Sequence, residues 1–166
     1  MRVRTAALDD AEAIAAIYNL EVLETTATFD LEPRPVEAQR RWLLERSGAH
    51  VVLVAESDDG EVIAFASLSP YKQRPAYSTT VESSVYVHRD FRSQGVAREL
   101  MAELLETARS HGFHSAVARI SDSQEPSLAL HESLGFALVG VEREVGRKFG
   151  RWLDVSVMQV MLGCEF

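Results

Sequence analysis

Two strand-like segments joined by one long helix-like segment occupy the middle of the chain, and this order constrains the fold most. The strands are predicted over residues 79–87 and 116–120, which are rich in β-branched residues. Residues 95–111 between them carry apolar residues on one helical face, and Gly112 follows as a helix terminator. A helical connection of this kind lets two strands of one sheet run parallel. The order therefore predicts a parallel strand pair with a helical crossover.

Shorter segments on both sides continue the alternation of strands and helices. Further strands are predicted around Val3 and over residues 51–55, 62–66, 138–145 and 155–162, with a hairpin turn at Asp58–Gly60. Helices are predicted after residues 9–12, which resemble a capping box, from Pro35 onward with Leu44 in an apolar stripe, and over residues 126–134. No linker or repeat divides the chain. We therefore expect an α/β protein with a mixed central sheet flanked by helices, in a single domain of residues 1–166.

The charge and the apolar content exclude several classes of protein. The chain has 17 basic and 25 acidic residues, a net charge of −8, which opposes non-specific binding to nucleic acid or to anionic lipid. No apolar run approaches the roughly 18 residues that a membrane span needs, and the N-terminal residues do not resemble a secretory signal. A single cysteine, Cys164, allows neither an internal disulfide nor a cysteine-based metal cluster, and we expect it to be structural. We expect a cytoplasmic protein without a metal, a nucleic-acid partner or a membrane partner.

A polar loop leads from the strand that ends at Val87 into the helix that begins near Gly95. The first turn of a helix exposes unpaired N–H groups and partial positive charge, so it can bind an anion such as a pyrophosphate. Gly95 permits close approach of the backbone, and Arg92 and Arg98 can add positive charge. The loop lacks the Gly-Lys-Ser/Thr ending of a nucleotide-triphosphate loop and the repeated glycines of a dinucleotide fingerprint. The segment indicates an anion site of another kind.

The pattern Arg92-x-x-Gly95-x-Ala97 resembles the coenzyme-A-binding motif of the GCN5-related N-acetyltransferases, the GNAT family. Three longer segments, residues 80–87, 130–136 and 148–154, resemble the phosphinothricin and methionine sulfoximine acetyltransferases of that family, and residues 18–19 and 25–29 extend the similarity. The resemblance covers nearly the whole chain in the expected order. It implies the GNAT fold and an enzyme that transfers an acetyl group from acetyl-CoA to an amine.

The resemblance also implies a set of residues that bind the cosubstrate. Main-chain groups of Val85, Tyr86 and Val87 are expected to hold the pantetheine arm. The pyrophosphate is expected on the amides of a run that follows Arg92 and consists of Ser93, Gln94, Gly95, Val96, Ala97 and Arg98. Gln124 stands where the family usually has Asn, so its longer side chain changes that contact, and Ser133 is a further expected cofactor contact.

Two side chains are candidates for acid–base chemistry. An amine must lose a proton before it attacks a thioester, and Glu82, a carboxylate in a strand-like run, is the candidate base. The alternative is that Glu82 points to solvent. His131 stands where many relatives have a Tyr that protonates the leaving thiolate, so it is either that acid or a contact of coenzyme A. No Cys or Ser is placed with a base, which favours direct attack in a ternary complex over an acetyl-enzyme.

The acceptor side is predicted from the loop that contains Lys72, Arg74 and Tyr77, which resembles the family segment that binds the substrate carboxylate. Arg74 offers a planar fork for a carboxylate and Lys72 a point charge, although both are equally consistent with solvated surface cations. Phe29 is expected to line the acceptor pocket or to belong to the core. The expected acceptor is a small amino-acid-like amine.

Two other functions remain open from the sequence. One is acetylation of a protein N-terminus or lysine, which would need an open groove. The other is a regulatory domain that binds coenzyme A without catalysis. The resemblance further implies a homodimer.

Overall fold

A seven-stranded mixed sheet forms the centre of the computed structural model, which describes residues 1–46 and 48–163. Its strands are β1 (Arg2–Thr5), β2 (Val52–Glu56), β3 (Val62–Pro70), β4 (Thr80–Val87), β5 (Ser115–Ser121), β6 (Ala137–Lys148) and β7 (Arg151–Met161). Its helices are α1 (Ala11–Glu24), α2 (Val36–Glu45), α3 (Val96–Ser110) and α4 (Glu125–Ser133). The predicted α/β class and the order of the elements are confirmed.

The strands lie in the order β1-β2-β3-β4-β5-β7-β6. The single parallel pair is β4 with β5, and α3 connects them as the sequence predicts. The predicted hairpin joins β2 to β3, where Gly60 has a φ of 84° that glycine adopts readily. The remaining neighbours are antiparallel.

The helices cover opposite faces of the sheet and bury a separate apolar cluster on each. The α3 and α4 face includes Leu100 and Leu104, and the α1 and α2 face includes Ile14 and Phe65. Side chains alternate along a strand, so odd-numbered residues of β4 face α3 and even-numbered residues face α1. This alternation decides on which face each functional side chain of β4 lies.

Three local expectations are corrected by the structure. The carboxylate of Asp10 does not cap α1, because it accepts hydrogen bonds from Arg4 at 2.7 and 2.9 Å and from the N–H of Ala7 at 2.7 Å. Leu44 lies outside the buried stripe of α2 and is 64% exposed. The strands β6 and β7 are both longer than predicted, because they pair with each other in an antiparallel hairpin.

Cys164, which we expected to be structural, lies outside the described residues. Among residues 1–46 and 48–163, no helix combines the length and the apolar character that crossing a membrane requires.

Candidate active site

A cleft of about 700 Å³ opens where β4 and β5 separate. The two strands are paired from Thr80 with Ser115 to Ser83 with Ala118, and there the pairing ends although β4 continues to Val87. Alternate residues of an antiparallel strand bond to the same neighbour, and the N–H of His88 donates to Ile63 of β3 at 2.8 Å. Val85 and Val87 therefore turn their backbone groups away from β3 and toward the gap. An extended chain can enter this gap as an additional strand.

Tyr86 contributes to the cleft differently from its two neighbours. It lines the cleft, but its ring stacks on Phe65 at 5.2 Å and meets Tyr18 edge-on at 5.1 Å, between ring centroids. The side chain thus belongs to the apolar cluster under α1, and the main-chain groups of Tyr86 face β3, so Val85 and Val87 are the residues whose main chain faces the gap.

The loop between β4 and α3 forms the anion end of the cleft. Ser93 and Gly95 have left-handed backbone conformations, with φ of 60° and 83°, and Gly95 immediately precedes the first turn of α3. A side chain at Gly95 would point into open space, so the backbone is accessible to a ligand there. The predicted residues that line this end are Arg92, Ser93, Gly95, Val96, Ala97 and Arg98. Gln94 is not among them, and its amide donates to the carbonyl of Asp90 at 3.1 Å.

Arg92 is occupied by contacts within the protein. Its Nη2 lies 2.5 Å from Oε1 of Glu21, and its Nε donates to the carbonyl of Val87 at 3.1 Å. Glu21 is 5% exposed, and its other oxygen accepts from Thr25 at 2.9 Å. Arg92 therefore joins the end of β4 and the loop to α1, in addition to any contact with a ligand.

Glu82 lies in the cleft on the face of β4 that is covered by α1, and it is half-buried. Burial raises the pKa of its carboxyl above the usual value, and the nearby charge of Arg119 opposes this shift. A carboxylate of raised pKa beside a cleft is suited to accept a proton near neutral pH.

His131 lines the cleft from the opposite face of the sheet. The residue is 3% exposed, and its ring packs edge-on against Phe136, with 4.9 Å between centroids. Nδ1 lies 2.7 Å from the carbonyl of Ser127, a contact in which Nδ1 must carry the proton. Burial lowers the pKa of the imidazole below its usual value, so Nε2 of the neutral ring is an acceptor. Nε2 has no partner among the residues that the structure describes.

A second polar atom without a partner lies on the same face. The hydroxyl of Ser83 is buried, lines the cleft, and has no hydrogen bond to any described residue. Buried polar groups are nearly always satisfied in folded proteins, so this pair indicates that a polar ligand completes the site. The amides and thiol of a pantetheine arm fit both atoms and the gap in the sheet.

Phe29 lines the cleft from the loop after α1. Its ring lies so close to Gly146 that a Cβ there would be 2.3 Å from its Cε2. The loop is held by buried Lys148, whose ammonium donates to the carbonyl of Thr28 at 2.9 Å. The lack of a side chain at Gly146 therefore leaves the space that the ring of Phe29 occupies.

Besides Gln94, four predicted residues lie outside the cleft lining. Lys72, Arg74 and Tyr77 form a separate surface concavity, in which the ammonium of Lys72 lies 5.2 Å from the ring centroid of Tyr77. Ser133 is exposed, and its hydroxyl donates to the carbonyl of Leu130 at 2.7 Å. Gln124 does line the cleft, where its amide lies 3.4 Å from the hydroxyl of Thr26.

Sequence reasoning missed two charged residues of the cleft, Glu21 and Arg119. Glu21 follows Ile14, Ile17 and Tyr18 on the buried stripe of α1, and a carboxylate in that stripe is the signal that was available. Arg119 interrupts the apolar run of β5 on the face away from α3.

The fold and the cleft define the class of protein before any comparison is made. A sheet that separates beside a parallel crossover, with an anion cradle at the start of the crossover helix, is the framework that the GNAT resemblance implies. The family model of the acetyltransferase (GNAT) domain matches residues 3–157. The chain therefore belongs to the GNAT acetyltransferases.

Comparison with individual relatives shows which members of the GNAT family the chain resembles. The chain is 39% identical to phosphinothricin N-acetyltransferase of Streptomyces coelicolor, over 94% of this chain and 93% of the relative. It is 38% identical to L-methionine sulfoximine/L-methionine sulfone acetyltransferase of Pseudomonas aeruginosa, over 96% and 94%. Its fold matches yncA of Salmonella typhimurium, solved with acetyl-CoA, with a TM-score of 0.96, 36% identity, and coverage of 100% and 96%. The predicted resemblance is confirmed, and the chain is an acetyl-CoA-dependent N-acetyltransferase.

Proposed function

We propose that this enzyme acetylates the α-amine of a small amino-acid-like substrate of the phosphinothricin, methionine sulfoximine or methionine sulfone type. The observation that carries the proposal is the position of Glu82. Its half-buried carboxylate lies in the cleft beside the gap between β4 and β5. The names of two relatives supply the acceptor class.

Acetyl-CoA supplies the activated acetyl group when it is bound. In this proposal Val85 and Val87 hold the pantetheine arm through main-chain groups, and the first turn of α3 holds the pyrophosphate. The family resemblance also implies that an N–H in the gap polarises the thioester carbonyl, since a fixed donor stabilises the negative charge that develops on that oxygen. The acceptor is expected on the other side of the strands, where Phe29 narrows the cleft.

Glu82 takes the proton of the acceptor ammonium, directly or through one water, so that the free amine can attack. Its raised pKa makes it a stronger base than an exposed carboxylate. Because Glu82 and His131 lie on opposite faces, the amine approaches from one side of the gap while the thiol leaves toward the other.

His131 acts here as a hydrogen-bond acceptor for coenzyme A, which is one of the two roles that the sequence left open. A general acid would need a proton on Nε2, but Nδ1 carries the proton of the neutral ring. The lowered pKa disfavours the doubly protonated form at neutral pH. The atom therefore accepts a hydrogen bond from the thiol or an amide of the pantetheine arm.

We also propose that two copies of the chain associate through the outer strands. β6 is an edge strand, and exposed apolar side chains follow it and its neighbour, including Leu138, Val139, Val141 and Trp152. Such a surface is typical of an interface between protein chains. Sedimentation would show a mass of two chains, and a single-chain mass over the working concentration range would contradict the dimer. A cytoplasmic location stays a prediction.

The test of the function is thiol release from acetyl-CoA across a panel of acceptors. We expect turnover with phosphinothricin, methionine sulfoximine or methionine sulfone, and an N-acetyl product by mass spectrometry. Peptides with a free N-terminus or lysine are the comparison. Activity on peptides alone would refute the proposed amino-acid acceptor and favour a protein or peptide acceptor. Binding of acetyl-CoA without turnover of any amine would favour a regulatory domain without catalytic activity.

A further inference from the structure

We propose that the hydroxyl of Ser83 donates a hydrogen bond to the sulfur of coenzyme A and stabilises the thiolate that leaves during acetyl transfer. Ser83 is 4% exposed and lines the cleft, and its hydroxyl has no partner among the described residues. The proposal rests on the proposed function for the side from which the amine approaches. It adds a catalytic residue that the sequence did not identify.

Strand register places Ser83 at the point where β4 and β5 separate. Ser83 is opposite Ala118, and this is the last pair of the parallel ladder. The anion end of the cleft lies beyond Val87, so a pantetheine arm that enters along Val87 and Val85 reaches Ser83 with its far end. The thioester forms that far end. We therefore expect the sulfur to lie next to Ser83.

Ser83 and the proposed base lie on opposite faces of the same strand. Side chains alternate along β4, so Glu82 is on the face covered by α1 and Ser83 is on the face covered by α3. Two consecutive residues thus place a carboxylate on one side of the gap and a hydroxyl on the other. In the proposed reaction the amine approaches from the side of Glu82. The hydroxyl then lies on the side toward which the thiol leaves.

Ser83 is the hydrogen-bond donor that this side of the cleft offers. Of the buried side-chain atoms without a partner among the described residues, two line the cleft, the hydroxyl of Ser83 and Nε2 of His131. Nε2 presents a lone pair, because Nδ1 carries the proton and donates to the carbonyl of Ser127. A lone pair cannot stabilise a thiolate, whereas a hydroxyl can. The thiol of the product satisfies both atoms, since its sulfur accepts and its S–H donates.

The hydroxyl acts on the charge that the transfer leaves on sulfur. The C–N bond forms, the C–S bond breaks, and the electron pair of the broken bond stays on sulfur. The nitrogen gives one proton to Glu82 before the attack and a second proton to water as the intermediate collapses. The thiolate accepts the hydrogen bond of Ser83 and then takes a proton from water. Because hydrogen bonds to a charged acceptor are the stronger ones, Ser83 stabilises the departing thiolate more than the thioester.

The direct test is the acidity of the thiol when coenzyme A is bound to the enzyme. The ultraviolet absorbance of the thiolate is followed against pH, with the complex of desulfo-coenzyme A, which lacks the thiol, as the blank. Ser83→Ala should lower the acid dissociation constant of the bound thiol about 10-fold, because it removes a hydrogen bond to the charged form. The kcat for methionine sulfone should also fall about 10-fold.

Calorimetry provides a second measurement. At a pH where the thiol is ionised, Ser83→Ala should raise Kd for coenzyme A about 10-fold and leave Kd for desulfo-coenzyme A within about twofold of the wild-type value. Without a ligand, the Tm of Ser83→Ala should equal or exceed the wild-type Tm, since the variant loses a buried hydroxyl that has no partner.

Ser84→Ala is the matched control. Ser84 is the next residue on the opposite face, and its hydroxyl is paired with that of Ser67 at 2.8 Å. This substitution should leave the acid dissociation constant of the bound thiol unchanged.

Four results would overturn the proposal. They are an unchanged acidity of the bound thiol in Ser83→Ala, an unchanged kcat, equal shifts of thiol acidity in Ser83→Ala and Ser84→Ala, and a Tm of Ser83→Ala well below that of the wild type. Equal weakening of coenzyme A and desulfo-coenzyme A would assign the hydroxyl to an amide of the arm or to a bound water instead. The titration and the calorimetry use no acceptor. Activity on peptides alone would therefore refute the proposed function without deciding against Ser83.

Discussion

The two ends of the cleft are built from different parts of the protein. The cosubstrate end consists mainly of backbone, namely the unpaired end of β4 and the loop that opens α3. The acceptor end consists of side chains from three segments that are distant in sequence, represented by Phe29, Glu82 and Arg119. Side chains can be exchanged without rebuilding the strands. We therefore expect substitutions at the acceptor end to change chemistry and substrate choice, and substitutions at the cosubstrate end to change binding of acetyl-CoA.

The largest expected effect is at Glu82. Glu82→Gln should lower kcat by about 10²- to 10⁴-fold, the usual contribution of a general base, while affinity for acetyl-CoA by calorimetry stays unchanged. In the wild type, kcat/KM should rise with pH as Glu82 loses its proton, at a pH above the ordinary range of glutamate. This rise of kcat/KM with pH should be absent in Glu82→Gln. An unchanged kcat would exclude Glu82 as the base.

Stability separates loss of the base from loss of the fold. Because the pKa of Glu82 is raised in the folded protein, folding favours its protonated form, and the wild type loses stability as pH rises from the ordinary to the raised pKa. Glu82→Gln removes that cost. Its Tm at pH 7 should equal or exceed the wild-type Tm by differential scanning calorimetry.

A smaller effect is expected where the cosubstrate end is tied to α1. Glu21→Gln weakens the contact with Arg92 and should raise KM for acetyl-CoA by about 10-fold, the equivalent of about 1.4 kcal/mol, with little change in kcat. Glu24→Gln is the matched control, because Glu24 pairs with Arg89 of the same loop at an exposed position. Equal effects of the two substitutions would show that general loop stability, rather than Arg92, is responsible.

The smallest effect is expected at Gly146. Gly146→Ala places a methyl group against Phe29 and should displace the ring, which costs about 1 kcal/mol, or about fivefold in KM for the acceptor. KM for acetyl-CoA should not change. Gly140→Ala in the same strand is the control, because no atom lies within 4 Å of its new Cβ. If Gly146→Ala changed KM for acetyl-CoA instead of KM for the acceptor, the division of the cleft into an acceptor end and a cosubstrate end would be wrong.

Local sequence predicted the cosubstrate end because its signals are short in range. The helix start at Gly95 and the strand before it follow from neighbouring residues, and these elements are where they were expected. The sequence did not predict the orientation of the side chains in this region. Gln94 turns back to Asp90, and Arg92 turns to Glu21, a residue 71 positions away.

The sequence did not identify Arg119 in the cleft, because its position there depends on strand register. Glu82 was identified from a carboxylate in an apolar strand, but the partner of that strand was not predicted residue by residue. A shift of one residue between β4 and β5 would put Arg119 on the other face. The loop cations Lys72 and Arg74 lie in a separate concavity, and their contact with the acceptor stays a prediction.

The order of residues along the chain was enough to establish the α/β class and the crossover through α3, because periodicity and turn chemistry are local properties. The GNAT family followed from the resemblance of the sequence motifs to that family. Tertiary structure decided where β4 and β5 part, and it thereby decided which groups face the cleft. It also set the protonated nitrogen of His131 and the pairing of Arg92 with Glu21. Those features depend on burial and on contacts between distant segments, and such contacts exist only once the sheet has formed.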